Sequence, residues 1–212
     1  MVAPFLAGTG SGSTPLVDDF AASALRIADH ETAPGTSPTF ARMSIPATEE
    51  ITAEVEGAAS WLGLATDEIL LAALGRAIAR TIGEGVVIVD VTGERRWLLH
   101  AIPLRCASSQ QASPTEMLSG VHKAMGVPPR QGCRSEIFLN DVGTLPDGTT
   151  PTYETPPGLG YALELRVYRT NGLLHLDWWY DTGRFDQYTV EELSEQFPLA
   201  LFEMTSDAAA PV

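Results

Sequence analysis

Three segments of the chain carry apolar residues at helical spacing. Residues 48–64, TEEITAEVEGAASWLGL, place four apolar side chains on one side of a predicted amphipathic helix: Ile51, Val55, Ala58 and Leu62. Residues 66–82, TDEILLAALGRAIARTI, are apolar over a wider arc, which predicts a largely buried helix with Thr66 as its N-cap. Residues 113–126, SPTEMLSGVHKAMG, open on a capping box and end on a glycine, so they predict a third helix.

Shorter apolar stretches predict β-strands. FARMSI, residues 40–45, predicts a short strand, and the β-branched run GEGVVIVDV, residues 83–91, predicts a central one. WLLHAIPLRC, residues 97–106, predicts another strand, in which Pro103 favours an irregular or edge position. SEIFLNDVG, residues 135–143, predicts a further short strand.

The C-terminal part of the chain predicts a β-hairpin and a last helix. Residues 161–180, YALELRVYRTNGLLHLDWWY, alternate on both sides of Asn171-Gly172, a dipeptide typical of tight hairpin turns. In the second strand one face is predicted to point to the core: Leu174, Leu176, Trp178 and Tyr180. The opposite face carries Leu173, His175, Asp177 and Trp179. Thr189 and Glu192 form a capping box that predicts the start of the final helix.

The order of the predicted elements indicates the fold class. A strand, two helices, further strands, a helix, a strand, a hairpin and a helix are typical of an α/β domain with a mixed β-sheet and flanking helices. We expect this domain to cover residues 38–205. Residues 1–37 are expected to form a flexible N-terminal segment with a short helix in DDFAASALRIA, residues 18–28, and residues 206–212 a frayed tail.

The charge of the chain narrows the range of its partners. Its 13 basic and 27 acidic residues give a formal net charge of −14, and no basic cluster stands out. Binding to nucleic acid or to an anionic membrane surface is therefore disfavoured. The N-terminus lacks the pattern of a secretory signal, and no apolar run reaches the roughly 18 residues of a membrane span. The sequence favours a cytoplasmic protein.

Motifs for common chemistries are missing from the sequence. GTGSGSTP, residues 8–15, lacks the lysine and the strand-to-helix context of a phosphate-binding loop, and no Gly-x-Ser-x-Gly elbow occurs. Cys106 and Cys133 stand apart and are more typical of small buried apolar residues than of nucleophiles. The histidines show no metal-ligand spacing: His30, His100, His122 and His175. We expect no cofactor, no metal site and no catalytic residue.

One arrangement on the predicted hairpin is nevertheless a candidate site. His175 and Asp177 share a strand face with Trp179, so they could act as a base and its orienting carboxylate. Neighbouring side chains on one strand face lie roughly 6 to 7 Å apart, which is long for a direct hydrogen bond. The pattern favours a polar or half-covered sheet face over a catalytic pair, and the three residues are kept as a ligand- or partner-binding hypothesis.

Three segments together resemble a known family. Residues 65–96, ATDEILLAALGRAIARTIGEGVVIVDVTGERR, are similar to the segment of nonribosomal peptide synthetase condensation and epimerization domains in which a buried helix leads into a strand and a glycine-arginine turn. SEIFLNDVG resembles the strand of that family that ends in an Asn-x-x-Gly pattern, here Asn140 to Gly143. Residues 161–197 resemble the closing hairpin and last helix. The resemblance implies the C-terminal lobe of the chloramphenicol-acetyltransferase-like two-lobed α/β sandwich.

The same resemblance implies that the catalytic residues of this family are missing here. The family's chemistry resides in a His-His-x-x-x-Asp-Gly motif of the other lobe, and this sequence contains no His-His pair. The sequence between Arg96 and Pro103 is also shorter than in the family, so the floor of any channel must differ. We expect a partly apolar face where a second lobe would pack, covered by a second copy in a homodimer or by another biosynthetic protein.

Three functional hypotheses follow from the resemblance. The first is a stand-alone C-lobe protein of nonribosomal peptide or related secondary-metabolite biosynthesis, non-catalytic alone, that contacts a carrier protein, a synthetase module or a tailoring enzyme. The second is a split acyl or aminoacyl transferase, for peptide-bond-forming condensation or epimerization, in which a partner chain supplies the histidine motif. Asn140, Asp141 and the loop after Gly143 would then shape the substrate channel. The third is a small-molecule binder with a cleft beside the hairpin aromatics.

Overall fold

The computed structural model describes residues 24–31, 35–93, 96–128, 135–151 and 161–208. Six strands form one mixed sheet: β1 (Phe40–Ile45), β2 (Gly85–Gly93), β3 (Arg96–Cys106), β4 (Ile137–Thr144), β5 (Leu163–Thr170) and β6 (Leu173–Asp181). Four helices accompany it in the described part of the chain: α1 (Glu49–Leu62), α2 (Thr66–Thr81), α3 (Pro114–Met125) and α4 (Gln187–Ser206). The α/β fold class predicted from the sequence is confirmed.

The strand order across the sheet is β1-β6-β5-β4-β2-β3. Strand β4 runs parallel to both β2 and β5, and the other pairs are antiparallel. Strand β2 therefore lies inside the sheet, as its β-branched run predicts, and β3 lies at an edge, as Pro103 predicts. A shift of register between Asp141 and Gly143 marks a bulge at the end of β4.

Local signals place the ends of α1 and α3 where the sequence predicts them. The Thr48 hydroxyl accepts the N–H of Ile51 at 3.2 Å, and Ser113 and Glu116 form the expected capping box. Helix α2 differs by one position. Its N-cap is Ala65, whose N–H donates to the Glu68 carboxylate at 2.9 Å, and Thr66 is already helical.

The predicted start of the last helix is wrong. Helix α4 begins at Gln187, before Thr189, and its N-cap Asp186 makes no capping hydrogen bond with its own side chain. The Asp186 N–H instead donates to the carboxylate of Asp29 at 2.9 Å. A residue far away in sequence thus takes the position at the helix N-terminus that the Thr189 box was expected to hold.

The helix predicted in residues 18–28 is absent from its described part, residues 24–28. Ala24 forms a parallel bridge with Val86, and the Leu25 N–H donates to the Val86 carbonyl at 2.9 Å. Ile27 is 2% exposed and belongs to the core. We call residues 24–31 the strap, because they run from the start of β2 to the N-terminus of α4. The division into a flexible segment 1–37 and a frayed tail 206–212 falls largely outside the described residues, although Ser206 is helical and Ala208 is buried.

All four helices and one sheet face share a single apolar core. Helix α2 lies at its centre and approaches β3 so closely that a Cβ on Gly75 would sit 2.5 Å from the Arg105 carbonyl oxygen. The fully buried Arg76 donates to the carbonyl oxygens of Ala107 and Ala112 and pairs with Glu203. These contacts tie α2 to the loop after β3 and to α4. No helix among the described residues is both long and apolar enough for a membrane span.

Candidate functional site: the outer face of the sheet

The sheet face opposite the helices carries a row of polar and aromatic side chains, and we call it the outer face. Strand alternation separates it from the core, because Leu163, Leu165 and Val167 of β5 are core residues. Cross-strand pairing then brings the outer-face residues side by side: Arg42 and Ser44 of β1, His175, Asp177 and Trp179 of β6, Glu164, Arg166 and Tyr168 of β5, Asn140 of β4 and Thr92 of β2.

Hydrogen bonds link three strands on one side of this row. The Thr92 hydroxyl donates to Asn140 Oδ1 at 3.2 Å, and Asn140 Nδ2 donates to Glu164 Oε1 at 2.8 Å. Arg166 Nε donates to the same Glu164 oxygen at 2.8 Å. The Glu164 and Arg166 side chains are each 1% exposed, so this is a buried ion pair.

Trp179 connects this ion pair to a second one. The Arg166 guanidinium lies 5.1 Å from the centre of the Trp179 ring, and that of Arg42 lies 5.9 Å from it. Arg42 also contacts the Asp177 carboxylate at 2.9 Å, and Ser44 donates to that carboxylate at 2.6 Å. The outer face is thus one network that runs from β2 to β1.

His175 and Asp177 have different partners on the outer face. The His175 ring stacks on Tyr168 with centroids 4.8 Å apart, and no hydrogen bond joins it to Asp177 among the described residues. Its Nε2 atom is buried without a hydrogen-bond partner. Burial and the nearby Asp177 carboxylate raise the pKa of Tyr168. As the sequence predicts, Trp178 points to the core and Trp179 to the opposite face.

The remaining predicted site residues lie elsewhere. Asp141 and Gly143 stand at the bulge of β4, where Asp141 Oδ1 accepts the Gly143 N–H at 2.9 Å and Gly143 adopts a positive φ of 82°. Asp141 lines a cavity of about 550 Å³ beside the N-terminus of α2, which we call the end cleft. The six residues proposed from the sequence therefore fall in two places, with Asn140, His175, Asp177 and Trp179 on the outer face.

Sequence reasoning missed the charged residues that organise the outer face. Glu164, Arg166 and Arg42 occupy alternate positions in strands, a signal that indicates a shared face but not which strands are neighbours. Tyr161 was also missed. Its hydroxyl donates to Asp90 at 2.7 Å, and its ring stacks on Phe138 at 4.9 Å.

Charge pairing is the main polar feature of the outer face. Its carboxylates face guanidiniums, and no cluster of histidine, cysteine or carboxylate side chains suits a metal ion in the described part of the chain. Cys106 lies on the core side, where burial raises its pKa to about 12. Cys133 lies outside the described residues.

The partly apolar face expected for contact with a second lobe is not found on the described strands. The large apolar side chains that are exposed lie on α1, on α4 and just after α3: Trp61, Tyr188, Leu199 and Val127. On β5 and β6 the outer face instead mixes buried charged residues, Glu164, Arg166 and Asp177, with the buried aromatic rings of Tyr168 and Trp179. Among the described residues, these exposed large apolar side chains therefore lie off the sheet.

Solved structures share this fold. The epimerization domain from the third module of tyrocidine synthetase B matches with a TM-score of 0.62 and 15% identity, over 84% of this chain and 50% of that chain. The X-domain solved in complex with OxyB from teicoplanin biosynthesis matches with a TM-score of 0.63 and 15% identity, over 87% and 50% of the two chains. The chain therefore has the fold of a single condensation-type lobe, as the resemblance implied.

Sequence comparison finds a more similar relative in a polyketide synthase. One component of the phenolphthiocerol/phthiocerol polyketide synthase of Mycobacterium tuberculosis is 33% identical over 230 aligned residues, which cover 85% of this chain. The chain spans only 15% of the length of that relative. No protein-family model matches the chain.

Proposed function

We propose that these 212 residues form a condensation-type lobe of a polyketide or nonribosomal peptide biosynthetic system, which acts through protein contacts and does not catalyse acyl transfer alone. The fold and the similarity to a polyketide synthase component support a role in biosynthesis. The absence of a His-His-x-x-x-Asp-Gly motif from the sequence supports the non-catalytic part. A cytoplasmic location belongs to the same proposal.

The pairing of charges on the outer face is the observation that carries this proposal. A general base needs access to substrate, whereas the side chains of Glu164 and Asp177 are 1% and 4% exposed and pair with Arg166 and Arg42. These ion pairs hold β1, β5 and β6 in one geometry, and the outermost of them, Arg42, has a side chain that is 41% exposed. Arg42 is thus the charged residue of this network that reaches solvent, and a charge held by a rigid sheet suits recognition of a protein partner.

The partner is proposed to be another biosynthetic protein. The similar X-domain was solved in complex with OxyB, which is a precedent for a protein that binds this fold. A carrier protein, a synthetase module or a second copy of this chain are the other occupants to be tested. Arg42 is the exposed charge of the outer face, and it favours a partner with an acidic residue at the contact.

An acyl-transfer assay tests the absence of catalysis. The purified chain is mixed with acyl- and aminoacyl-loaded carrier proteins, and the carrier-bound chains are followed by mass spectrometry. We expect no transfer above the rate without protein. Turnover by the chain alone that survives the variant Asn140→Ala and the variant Asp177→Asn would place a reactive site elsewhere, and turnover that either one abolishes would place it on the outer face.

A binding experiment tests the role of the outer face. The wild-type chain and the variant Arg42→Glu are compared by surface plasmon resonance against proteins encoded beside it, with Trp61→Ala as an exposed control on helix α1. We expect Arg42→Glu to weaken the interaction at least tenfold, about 1.4 kcal/mol, and the control to leave it unchanged. Equal binding by all three proteins would contradict a docking role of the outer face.

A split transferase is the alternative, and the presence of Asp141 in the lining of the end cleft favours it. In this alternative a partner chain supplies the histidine motif, while Asn140, Asp141 and the loop after Gly143 shape the channel. The same assay with the partner added decides between the two. Transfer that requires both chains, and that is lost when the second histidine of the partner's motif is replaced by alanine, would establish the split enzyme.

A further inference from the structure

Strand β1 lies at one edge of the sheet, and among the described residues no strand pairs with its side away from β6. We call this side of β1 the free edge. The pairing of β1 with β6 runs without a break from Phe40 to Ile45, and Pro46 follows directly. The free edge is therefore six residues long, which is the usual length of a strand in a sheet.

The hydrogen bonds of β6 show which backbone groups of β1 point to the free edge. The Asp181 N–H donates to the Ala162 carbonyl, immediately before β5, at 2.9 Å. Asp181 therefore directs its backbone groups away from β1, and so its partner Phe40 directs its own away from β6. Because this direction alternates along an antiparallel strand, Arg42 and Ser44 also point to the free edge. Three N–H donors and three carbonyl acceptors line it.

The two edges of the sheet differ in features that hinder the addition of a strand. At the other edge, Pro103 of β3 lacks an N–H, and the pairing of β3 with β2 contains a shift of register next to Gly93. Strand β1 contains neither a proline nor a shift of register, and its only charged residue is Arg42. Edge strands without prolines or bulges are open to pairing with another strand.

The side chains of β1 define the chemistry of a strand that would fit the free edge. On the core side Ala41, Met43 and Ile45 are only partly buried, so apolar side chains of an added strand would complete their burial. On the outer side the Arg42 side chain is 41% exposed and contacts Asp177 through Nη2. A guanidinium has five N–H donors, so Arg42 can bind a second carboxylate at the same time.

We propose that a partner protein adds an extended segment to the free edge of β1, with an acidic residue beside Arg42 and apolar residues beside Met43. Backbone hydrogen bonds supply the affinity in this mode of binding, and the alternate side chains supply the specificity. A second copy of β1 fits less well, because its sequence FARMSI offers no carboxylate to Arg42. The inference deepens the proposed function and rests on it for the existence of a partner.

The first experiment uses a synthetic peptide as the added strand. The isotope-labelled full chain is titrated by NMR with acetyl-SVSVEVSVS-amide and, at the same ionic strength, with the control acetyl-SVSVKVSVS-amide. We expect saturable shifts with a Kd of about 1 mM or tighter for the glutamate peptide. The lysine peptide should bind at least about tenfold more weakly, because it places a like charge beside Arg42. No saturation with either peptide, or equal affinity for both, would overturn the proposal.

Hydrogen exchange of single amides shows whether the peptide pairs with the free edge. The N–H groups of Arg42 and Ser44 point to this edge, whereas that of Met43 points to β6. At a glutamate-peptide concentration of about ten times the Kd, we expect exchange at Arg42 and Ser44 to slow about tenfold and exchange at Met43 to stay unchanged. Equal protection of the three amides, or no protection at Arg42 and Ser44, would overturn strand addition.

Two variants of Ser44 form a matched pair. Ser44→Pro and Ser44→Ala both lose the hydroxyl that donates to Asp177, but only the proline also lacks the N–H at the free edge. That N–H does not pair with β6, so we expect both variants to fold, which urea unfolding checks. We expect Ser44→Pro to bind the glutamate peptide at least about fivefold more weakly than Ser44→Ala. Equal affinities would overturn the proposal, and the exchange experiment decides without any variant.

The same variants separate this inference from the proposed function. If a biosynthetic partner loses affinity for Arg42→Glu but binds Ser44→Pro and Ser44→Ala equally, the proposed function stands and strand addition is overturned. If the peptide pairs with the free edge but the full chain binds no biosynthetic partner, the edge accepts a strand and the proposed function fails.

Discussion

The same strands form both faces of the sheet, and the two faces differ in the interactions that stabilise them. On the core face Trp178 is fully buried and meets Phe197 edge to face, with ring centroids 5.5 Å apart. On the outer face the next residue, Trp179, lies between the guanidiniums of Arg42 and Arg166. Apolar packing therefore stabilises one face, whereas the other uses charge pairs that fix geometry at a desolvation cost.

The largest loss of stability is expected from a substitution on the core face. Trp178→Ala removes a fully buried ring and its contact with Phe197, so we expect a loss of about 3–5 kcal/mol in the free energy of unfolding. Urea unfolding followed by circular dichroism measures it.

Trp179→Ala is the matched variant one residue further along the strand. We expect a smaller loss, because both guanidiniums keep their carboxylate partners after the ring is removed. Equal losses for the two tryptophans would contradict the distinction between the faces.

The next effect tests whether the ion pair of Glu164 and Arg166 adds to the free energy of unfolding or only fixes the positions of these side chains. Glu164→Gln leaves the guanidinium of Arg166 buried beside a neutral group, which is expected to cost about 3 kcal/mol. The double variant Glu164→Leu with Arg166→Met removes both charges, and we expect its stability to return to that of the wild type or above.

Urea unfolding of both variants decides between these roles. If the double variant is as unstable as Glu164→Gln, the ion pair contributes net stability. The outer face would then stabilise the fold as the core face does, which would contradict the distinction between the two faces. If only the double variant loses partner binding while it stays stable, the pair serves recognition.

A smaller loss of stability is expected when the contact between the strap and the N-terminus of α4 is removed. Asp29→Ala removes the acceptor of the Asp186 N–H at the start of α4, and we expect a loss of about 1 kcal/mol, as for other helix N-caps. Glu31→Ala in the same strap is the control, since its ion pair with Arg26 is largely exposed and is expected to have little effect. Thermal melting that ranks the two variants equally would rule out the capping role.

The last prediction is that a thiol reagent does not modify Cys106 in the folded protein. Burial on the core face raises the pKa of Cys106 to about 12, so at pH 8 only about one thiol in ten thousand is ionised. In a Cys133→Ser background, we expect iodoacetamide to leave the folded protein unmodified and to alkylate Cys106 after unfolding in urea. Alkylation of the folded protein at the unfolded rate would mean that this face admits solvent.

The sequence predicted the elements of the fold well because their patterns are long. Helix α2 and strand β2 present apolar surface to the core on most of their length, and the Asn171-Gly172 turn requires the positive φ values of 53° and 72° that it adopts. The starts of helices were less predictable. The N-cap of α4 depends on Asp29, 157 residues away, and no local pattern records such a contact.

The candidate site was predictable only in part for a similar reason. Strand alternation correctly separates Trp178 from Trp179 and groups His175 with Asp177 on one face. The partner of Asp177, however, is Arg42 on β1, and the adjacency of β1 to β6 is a property of the topology. The end cleft is harder still, because its lining comes from two helices and two strands.

The position of β1 beside β6 also has a consequence for how the chain folds. Phe40 pairs with Asp181, so the first strand of the sheet depends on a partner from the last hairpin of the chain. The strap likewise contacts a residue far along the chain, since the Asp186 N–H donates to its Asp29. Such pairings between distant parts of the chain slow folding, because the entropy of closing a long loop is lost before the contacts form. We therefore expect β1 and the strap to be the last parts protected from hydrogen exchange during refolding.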